Sequence, residues 1–388
     1  MKSTAEITQR ILGTDLKASF IILICLFLIY IPFIIARSAS GESFLKGDCY
    51  YYRAMIISII EDHDLLLENN LEGSDLLSGQ LALTEEGYRP KHPIIMPFVS
   101  VPFYVLLGDQ GLLLFNILDC ALLIVIVSRL NRLFFDPVIS VVTSLLYAVG
   151  TLLLEYVYNY SPDIFASVLI LAALYFVLTD HLYVGALFLG ISIFAKITNA
   201  PLVIIIFIYI LLIQRDQNQK KSDVIENHTG PALVRLSKTL IIFMLSLMPF
   251  LFSNFFLYGS PWTTGYQHIV IRDPVSGQAV FENHAYEFNQ PIVKGSLNLL
   301  FDPINGILPT NPILVLALAG ILKLSKLSLR KELILLLTLA SVQFLIFAKY
   351  DYWFTSHFSN RFLITSILLT SVFSSKYLES LFQTDNSI

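Results

Sequence analysis

Residues 18–36 read ASFIILICLFLIYIPFIIA, and residues 47–53 read GDCYYYR. The first run carries no charge and is close to the ~20 apolar residues that an α-helix needs to cross ~30 Å of hydrocarbon. The apolar core of a secretory signal is shorter, about 7–15 residues, so an uncleaved first span is favoured over a signal peptide. The second run opens the first long polar segment of the chain. Together the two runs predict a membrane protein whose polar chemistry begins shortly after its first span.

The composition agrees with a membrane protein. Of the 388 residues, 55% are hydrophobic and 14% are charged, whereas soluble domains carry about 25% charged residues. The net charge of −4 and the lack of a basic stripe exclude nucleic acid as an expected partner. The three cysteines are scattered, which predicts neither a disulfide framework nor a zinc knuckle. No glycine-rich nucleotide-binding loop is present in the sequence.

The apolar runs predict an all-α polytopic fold of about ten transmembrane helices, in a single membrane-embedded domain over 1–388. The predicted spans are 18–36, 110–128, 137–156, 162–178, 182–196, 198–213, 237–257, 310–325, 332–348 and 361–375. A further run, 93–108, has about 16 residues and contains three prolines. Because ~20 residues are needed for a crossing, this run is predicted to be an interfacial or re-entrant helix.

The basic residues predict the orientation in the membrane. If 93–108 does not cross and the N-terminus is cytoplasmic, more than half of the 25 Lys and Arg residues fall on inside segments, as the positive-inside rule requires. The prediction is a multi-pass protein of the plasma (inner) membrane with both termini cytoplasmic. Two large segments then lie outside: the first outer loop, 37–109, and a second outer loop, 258–309.

Asp48 lies about 12 residues after the first span, close to the predicted outer membrane surface. The pattern of Tyr50–Ile60 suits an interfacial helix with Arg53 and Ser58 toward water. A carboxylate at the base of such a helix could reach a substrate whose lipid tail lies in the bilayer. The alternative is that Asp48 is the N-cap of this helix, and both interpretations can hold together.

Arg89, Lys91 and His92 form a cationic group in front of Pro93. Arginine offers bidentate hydrogen bonds to a phosphate ester, and lysine offers a point charge. The alternative is a hydrated cluster beside the membrane, where basic side chains commonly reach into water.

Asp62 and Asp64 have a D-x-D spacing, which could hold a divalent cation through oxygen ligands. They are weak candidates, because a short run of charge is more often a solvated turn. No other cofactor is expected.

Three further charged residues lie at predicted membrane boundaries. Asp163 opens a span, where helix capping is the alternative explanation. Lys196 lies between two spans, where its side chain could also extend along the helix into water. Arg361 begins a span on the predicted outer side, against both the helix macrodipole and the positive-inside bias. That position makes Arg361 a stronger functional candidate than the other basic residues.

The order of these motifs resembles the GT-C superfamily of polytopic glycosyltransferases, which includes protein O-mannosyltransferases and lipid A aminoarabinose transferases. The resemblance extends over about residues 40–375, and it depends on the order of motifs that are each short. They are G-D-x-x-Y-Y at 47–52, H-P at 92–93, S-P-D at 161–163, A-K-I-T at 195–198, Y-G-S-P at 258–261, T-G-Y at 264–266, D-P at 302–303 and N-R-F at 360–362.

The resemblance implies transfer of a sugar from a polyprenyl-phosphate donor on the outer face of the membrane. It implies that Asp48 is the general base, deprotonating the acceptor hydroxyl for an inverting displacement. Many members carry a second acid directly after the first, whereas this chain has Cys49. Asp62 and Asp64 are candidates to replace that acid.

The resemblance also implies a set of substrate-binding residues. They are Arg89, Lys91, His92, Asp163, Lys196, Tyr266 and Arg361. Lys91, His92 and Arg361 would hold the departing lipid phosphate, and Asp163 and Lys196 would line the same cavity. The acceptor, a lipid, glycan or protein, is expected to be recognised by the segment 258–309.

Two other functions are open at this stage. A transporter or flippase of lipid-linked saccharides would also place charges inside the membrane, but would distribute polar and helix-breaking residues near mid-membrane. Here the polar residues collect at one predicted face, which favours an enzyme. A non-catalytic assembly partner is the remaining alternative.

Overall fold

The computed structural model describes residues 4–72, 75–222, 230–272, 279–282, 287–324, 330–351 and 360–385. Within these ranges the chain is predominantly helical, with four short strands. The helices are α1 Thr4–Ala39, α2 Asp48–Ile57, α3 Ile95–Leu107, α4 Asp109–Asn131, α5 Pro137–Gly150, α6 Leu153–Val157, α7 Pro162–Leu178, α8 Leu182–Ala195, α9 Ala200–Ser222, α10 Gly230–Tyr258, α11 Ile292–Phe301, α12 Ile307–Thr310, α13 Leu314–Leu322, α14 Lys331–Ala348, α15 Ile364–Leu369 and α16 Ser371–Asp385. The strands are β1 Ser78–Thr84, β2 Gly87–Pro90, β3 Ile269–Arg272 and β4 Ala279–Glu282.

The chain divides into two compact units, each assembled from separated segments. The first unit comprises Met1–Ser43, Asn116–Tyr158 and Gln290–Ile388, and the second comprises Phe44–Phe115 and Asn159–Asn289. The expectation of a single domain over 1–388 stays a prediction.

Each of the ten predicted spans overlaps helical segments of the structure. Among the residues that the structure describes, four helices are long and apolar enough to cross a membrane: Leu16–Ala39, Asp109–Asn131, Leu233–Tyr258 and Lys331–Ala348. The other predicted spans correspond to shorter apolar helices or to helices in series, such as α15 and α16. The predicted all-α polytopic class is confirmed, with four strands in addition among the described residues. The number of crossings stays a prediction.

The run 93–108 forms α3, which begins at Ile95 and ends at Leu107. Its 13 residues span about 20 Å at 1.5 Å per residue, less than the ~30 Å hydrocarbon core. The helix packs against α2 and α8 within the second unit. Its length agrees with the prediction that this run does not cross the membrane.

In the second unit, α8 packs between α7 and α10. Helix α7 is buried on all sides along most of its length, which explains why its sequence is apolar all round. Gly190 of α8 permits the close approach of α10, because a Cβ at this position would lie 1.9 Å from Ser246 Oγ. These three helices form the apolar body on which the loops of the unit rest.

The strands form one antiparallel sheet in the order β2-β1-β3-β4. Strands β1 and β2 form a hairpin in which Ala82 pairs with Arg89 and Thr84 pairs with Gly87. Strand β3 joins from a distant part of the chain, with Ile269 opposite Ala82. The two segments predicted to lie outside the membrane, 37–109 and 258–309, are therefore joined by backbone hydrogen bonds.

Helix α2 confirms that a helix follows Asp48, but the predicted orientation of its side chains is wrong for Ser58. Ser58 is fully buried, and its hydroxyl donates to the Asp64 carboxylate. Tyr51 and Tyr52 are also buried within the protein. The turn formed by Asp64 folds back over Ser58, so this polar side chain is satisfied by the chain itself instead of by water.

In the first unit, α13 packs tightly against α16. The approach is closest at Gly320, where a Cβ would lie 1.8 Å from the carbonyl oxygen of Phe373. Glycine is the only residue that permits this separation without moving one of the helices.

We expect Gly320→Ala to lower the apparent melting temperature in detergent by several degrees. The added methyl group forces α13 away from α16, and overpacking of this kind costs about 1–3 kcal/mol, although alanine is the better helix former. The matched control is Gly150→Ala, whose Cβ would lie 3.4 Å from side-chain atoms of Ile313. Equal melting temperatures for Gly320→Ala and the native protein would contradict the close approach.

Candidate functional site

Asp48 is the first residue of α2 and lies in the second unit. Gly47 precedes it with a φ of 57°, and the helix start has no side-chain capping hydrogen bond. The structure therefore places Gly47, not Asp48, at the N-cap, which removes the capping alternative for this carboxylate. Its side chain is 14% exposed. A carboxylate in a first turn is stabilised by the helix macrodipole.

His92 lies between Asp48 and Tyr266, which belongs to the segment 258–309. Its Nε2 lies 4.0 Å from Asp48 Oδ1 and 2.9 Å from Gln80 Oε1, while its Nδ1 lies 3.1 Å from the Tyr266 hydroxyl. In the neutral ring one nitrogen donates and the other accepts. Nε2–H donates toward Gln80, and Nδ1 accepts from Tyr266, so both partners together fix one tautomer.

Tyr52 is a further member of this cluster, and its ring stacks on His92 at a centroid distance of 5.5 Å. Burial raises the pKa of Tyr52 well above its ordinary value, and the negative charges of Asp48 and Asp163 raise it further. The phenol therefore stays protonated. The Tyr52 hydroxyl is a buried hydrogen-bond donor near the carboxylates of Asp48 and Asp163.

Asp163 and Lys196 form an ion pair. Asp163 lies in the first turn of α7 and is 5% exposed. Lys196 follows α8 in an extended conformation, so its side chain leaves the helix axis. The capping position of α7 belongs to Ser161, and the Lys196 ammonium group binds Asp163. The two residues predicted to line one cavity are thus brought together.

Lys91 is buried, and its Nζ donates to the Gly79 carbonyl oxygen at 2.9 Å. The same Nζ lies 5.6 Å from the centroid of the Tyr266 ring. Gly265 makes this arrangement possible, because a Cβ there would lie 2.6 Å from the Lys91 carbonyl oxygen. The T-G-Y motif therefore needs its glycine to seat Tyr266 against Lys91 and His92.

Arg89 is separated from the two basic residues that follow it in the sequence. It lies on β2, its guanidinium pairs with Glu86, and it lines a different cavity from the one that Lys91 and His92 line. Strand β2 ends at Pro90, where the chain leaves the sheet. The single cationic group predicted from the sequence is thus divided between two places.

Arg361 belongs to the first unit. Its guanidinium carbon lies 5.0 Å from the centroid of the Phe362 ring. The preceding residue, Asn360, has a φ of 73° and donates from its amide to the carbonyl oxygen of Asn305. The phosphate-binding role of Arg361 stays a prediction.

The two acids considered for a divalent cation lie on an exposed turn after α2. The Asp62 carboxylate accepts from Asn70, and Asp64 accepts from Ser58 and from the backbone N–H of Leu66. These bonds favour the alternative of a solvated turn. In the part of the chain that the structure describes, no group of three or more His, Cys, Asp or Glu residues could hold a metal ion.

Several members of the cluster were missed from the sequence. Tyr52 could have been identified from the G-D-x-x-Y-Y motif, whereas no sequence motif contains Gln80. The buried Cys49 thiol lies 2.7 Å from Asn159 Oδ1, so the position of the second acid found in many GT-C members faces an amide here. Tyr160 is also buried in this region, and its hydroxyl lies 2.5 Å from Ser100 Oγ.

The fold and the site define a polytopic helical membrane protein with a buried polar cluster built on its loops. The sequence model of the dolichyl-phosphate-mannose-protein mannosyltransferase family matches residues 91–254. No curated protein sequence matches the chain. The family match includes Lys91, His92, Asp163 and Lys196, and it leaves out α2 with Asp48.

Solved structures extend the likeness over nearly the whole chain. ArnT from Cupriavidus metallidurans bound to undecaprenyl phosphate is 11% identical, with a TM-score of 0.61 over 95% of this chain and 60% of that one. Archaeoglobus fulgidus oligosaccharyltransferase AglB, in complex with an inhibitory peptide and a dolichol-phosphate, is 12% identical, with a TM-score of 0.54 over 97% of this chain. This chain spans 60% of the ArnT structure and 52% of AglB. The chain has the GT-C fold, and the resemblance found in the sequence is confirmed.

We expect removal of one partner of the Asp163–Lys196 pair to be strongly destabilising. Asp163→Asn or Lys196→Met alone leaves a largely buried charge without its counter-charge, which costs about 3–5 kcal/mol. The double variant Asp163→Asn/Lys196→Met should recover much of that loss. The measurement is the apparent melting temperature of the four proteins in one detergent. Additive losses in the double variant would show that the pair is not coupled.

Proposed function

We propose that this protein is a glycosyltransferase that moves a sugar from a polyprenyl-phosphate donor to an acceptor hydroxyl, with inversion at the anomeric carbon and Asp48 as general base. The observation that carries the proposal is the Asp48 carboxylate, 4.0 Å from His92 Nε2 in a cluster with Tyr52 and Tyr266. The family match to a mannosyltransferase and the undecaprenyl phosphate bound by ArnT support the donor class.

The proposed reaction needs one proton acceptor and one anionic leaving group. The acceptor oxygen attacks the anomeric carbon as its proton passes to Asp48. The bond between that carbon and the phosphate oxygen breaks, and its electron pair leaves with the lipid phosphate. Attack from the face opposite to the phosphate inverts the configuration. A positioned general base contributes about 10²–10⁴-fold to such a reaction.

The proposed role of His92 is to position Asp48. Gln80 and Tyr266 fix the imidazole so that its Nε2–H faces the side of Asp48 and Gln80. Tyr52 limits the movement of the ring by stacking on it.

The proposed phosphate partners in the second unit are Lys91, His92 and Lys196. Lys91 and His92 line a small cavity of about 20 Å³, together with apolar side chains that include Phe194, Ile197 and Phe250. Positive charge beside apolar side chains is the combination that the phosphate end of a polyprenyl phosphate needs. Asp163 holds Lys196 in place until the donor binds.

We expect Asp48→Asn to reduce the turnover number at least 100-fold, because the amide cannot take the acceptor proton. Binding of a polyprenyl-phosphate sugar should change little, since the proposed phosphate partners remain. The measurement is sugar transfer by purified protein from a panel of lipid-linked donors. Glu61→Gln is the matched control, an exposed acid that follows the same helix, and should retain activity. Transfer by Asp48→Asn at the native rate would remove the general-base assignment.

We further propose that the site faces the outside of the inner membrane and that both termini are cytoplasmic. In a background without the three native cysteines, Trp262→Cys should react with an impermeant thiol reagent added outside intact cells. Lys220→Cys should react only after the membrane is opened, because the segment around it is rich in Lys and Arg. Labelling of position 220 from outside would reverse this orientation.

A further inference from the structure

A second cavity, here called the Arg89 cavity, lies at the tip of the β1–β2 hairpin in the unit that contains Asp48. Its volume is about 640 Å³, within the ~300–1,000 Å³ of typical small-ligand sites. Its polar lining comprises Thr84, Glu85, Glu86, Arg89 and His268, and its rings are Phe256, Tyr258 and Phe281. The proposed base and phosphate partners do not line it.

The hairpin fixes the charged groups of this cavity. Thr84 pairs with Gly87, so Glu85 and Glu86 form a two-residue turn that projects both acids at the tip. The Arg89 side chain is 13% exposed, whereas that of its ion-pair partner Glu86 is 71% exposed. The Arg89 guanidinium therefore forms part of the cavity wall. It has five N–H donors, and Glu86 engages only part of this set.

The charge balance indicates which ligand the cavity suits. Two carboxylates and one guanidinium give a net charge of −1, which disfavours a phosphate or a sugar acid. The same groups suit a neutral polyol, because the carboxylates of Glu85 and Glu86 accept from hydroxyl groups. Arg89 and His268 supply donors for the same hydroxyl groups. Mixed donors and acceptors without a matching ionic partner are the recognition chemistry of an uncharged saccharide.

The rings provide the apolar faces that a sugar ring also needs. His268 stacks on Tyr258 at a centroid distance of 6.0 Å and an interplanar angle of 13°. Phe281 of β4 is 65% exposed and Phe256 of α10 is 71% exposed. Amphipathic and aromatic rings beside converging polar groups are typical of ligand sites.

The Arg89 cavity adjoins the cavity of the proposed donor site. Leu257 and Tyr258 line both of them, and Lys91 and His92 line the second. The Tyr258 hydroxyl donates to the Pro90 carbonyl oxygen at 2.5 Å, directly before Lys91. A ligand in the Arg89 cavity therefore lies one side chain away from the groups around His92.

We propose that the Arg89 cavity binds an uncharged saccharide unit of the acceptor, next to the unit whose hydroxyl reacts. This inference depends on the proposed function, because it gives that reaction a glycan acceptor. It assigns acceptor recognition to the β1–β2 hairpin together with the segment 258–309, of which His268 and Phe281 are members.

Binding of glycan without any donor separates this inference from the transfer reaction. We would measure binding of neutral tri- to pentasaccharides of hexoses and N-acetylhexosamines to the Asp48→Asn protein in detergent, by saturation-transfer nuclear magnetic resonance. In the same background, Arg89→Gln and Phe281→Ala should each weaken binding at least tenfold. Arg272→Gln, an exposed arginine on β3 outside the cavity lining, should not. Phe281 is exposed, so its removal tests the cavity without disturbing the core.

The outcomes are distinct. Binding of neutral saccharides that depends on Arg89 and Phe281 supports the cavity as an acceptor site. Absence of binding by every neutral probe overturns the inference, and so does Arg89-dependent binding of inorganic phosphate or of extended peptides instead. Failure of the proposed function would appear elsewhere, as absence of transfer by native protein from every lipid-linked donor.

Discussion

The pairing of β1 with β3 is the interaction on which the candidate site depends. Strand β1 carries Gly79 and Gln80, whose oxygens bind Lys91 and His92, and β3 begins shortly after Tyr266. Backbone hydrogen bonds between the two strands hold Tyr266 against His92. Because each polar group in this buried cluster needs its partner, loss of the pairing would leave several of them unsatisfied at once. The β-sheet, most of which lies outside the cluster, thus stabilises the cluster.

The helical architecture could be predicted from the sequence because apolar runs have a simple physical cause. A segment such as Asp109–Asn131 must satisfy its backbone internally to be stable in lipid, and composition alone reveals it. The sheet could not be predicted in this way. Strands β2, β3 and β4 are four residues each, and a pairing across ~190 residues leaves no local periodicity that would identify the partner.

The site was predicted in part, for a related reason. Asp48, Asp163 and Lys196 carry charge at predicted membrane boundaries, where charge is costly and therefore informative. Gln80 is an uncharged side chain within a strand, so only its hydrogen bond to His92 reveals its role. Adjacency in the sequence was also misleading, because β2 ends between Arg89 and the basic residues that follow it.

The interleaving of the two units in the sequence affects how the protein is made. Strand β1 is synthesised ~190 residues before β3, and at ~5–20 residues per second this interval lasts about 10–40 s. Throughout that time the β1–β2 hairpin presents an unpaired edge, which is a hazard for association with other chains. This long-range pairing therefore makes biosynthesis a stage at which the protein is exposed to association with other chains.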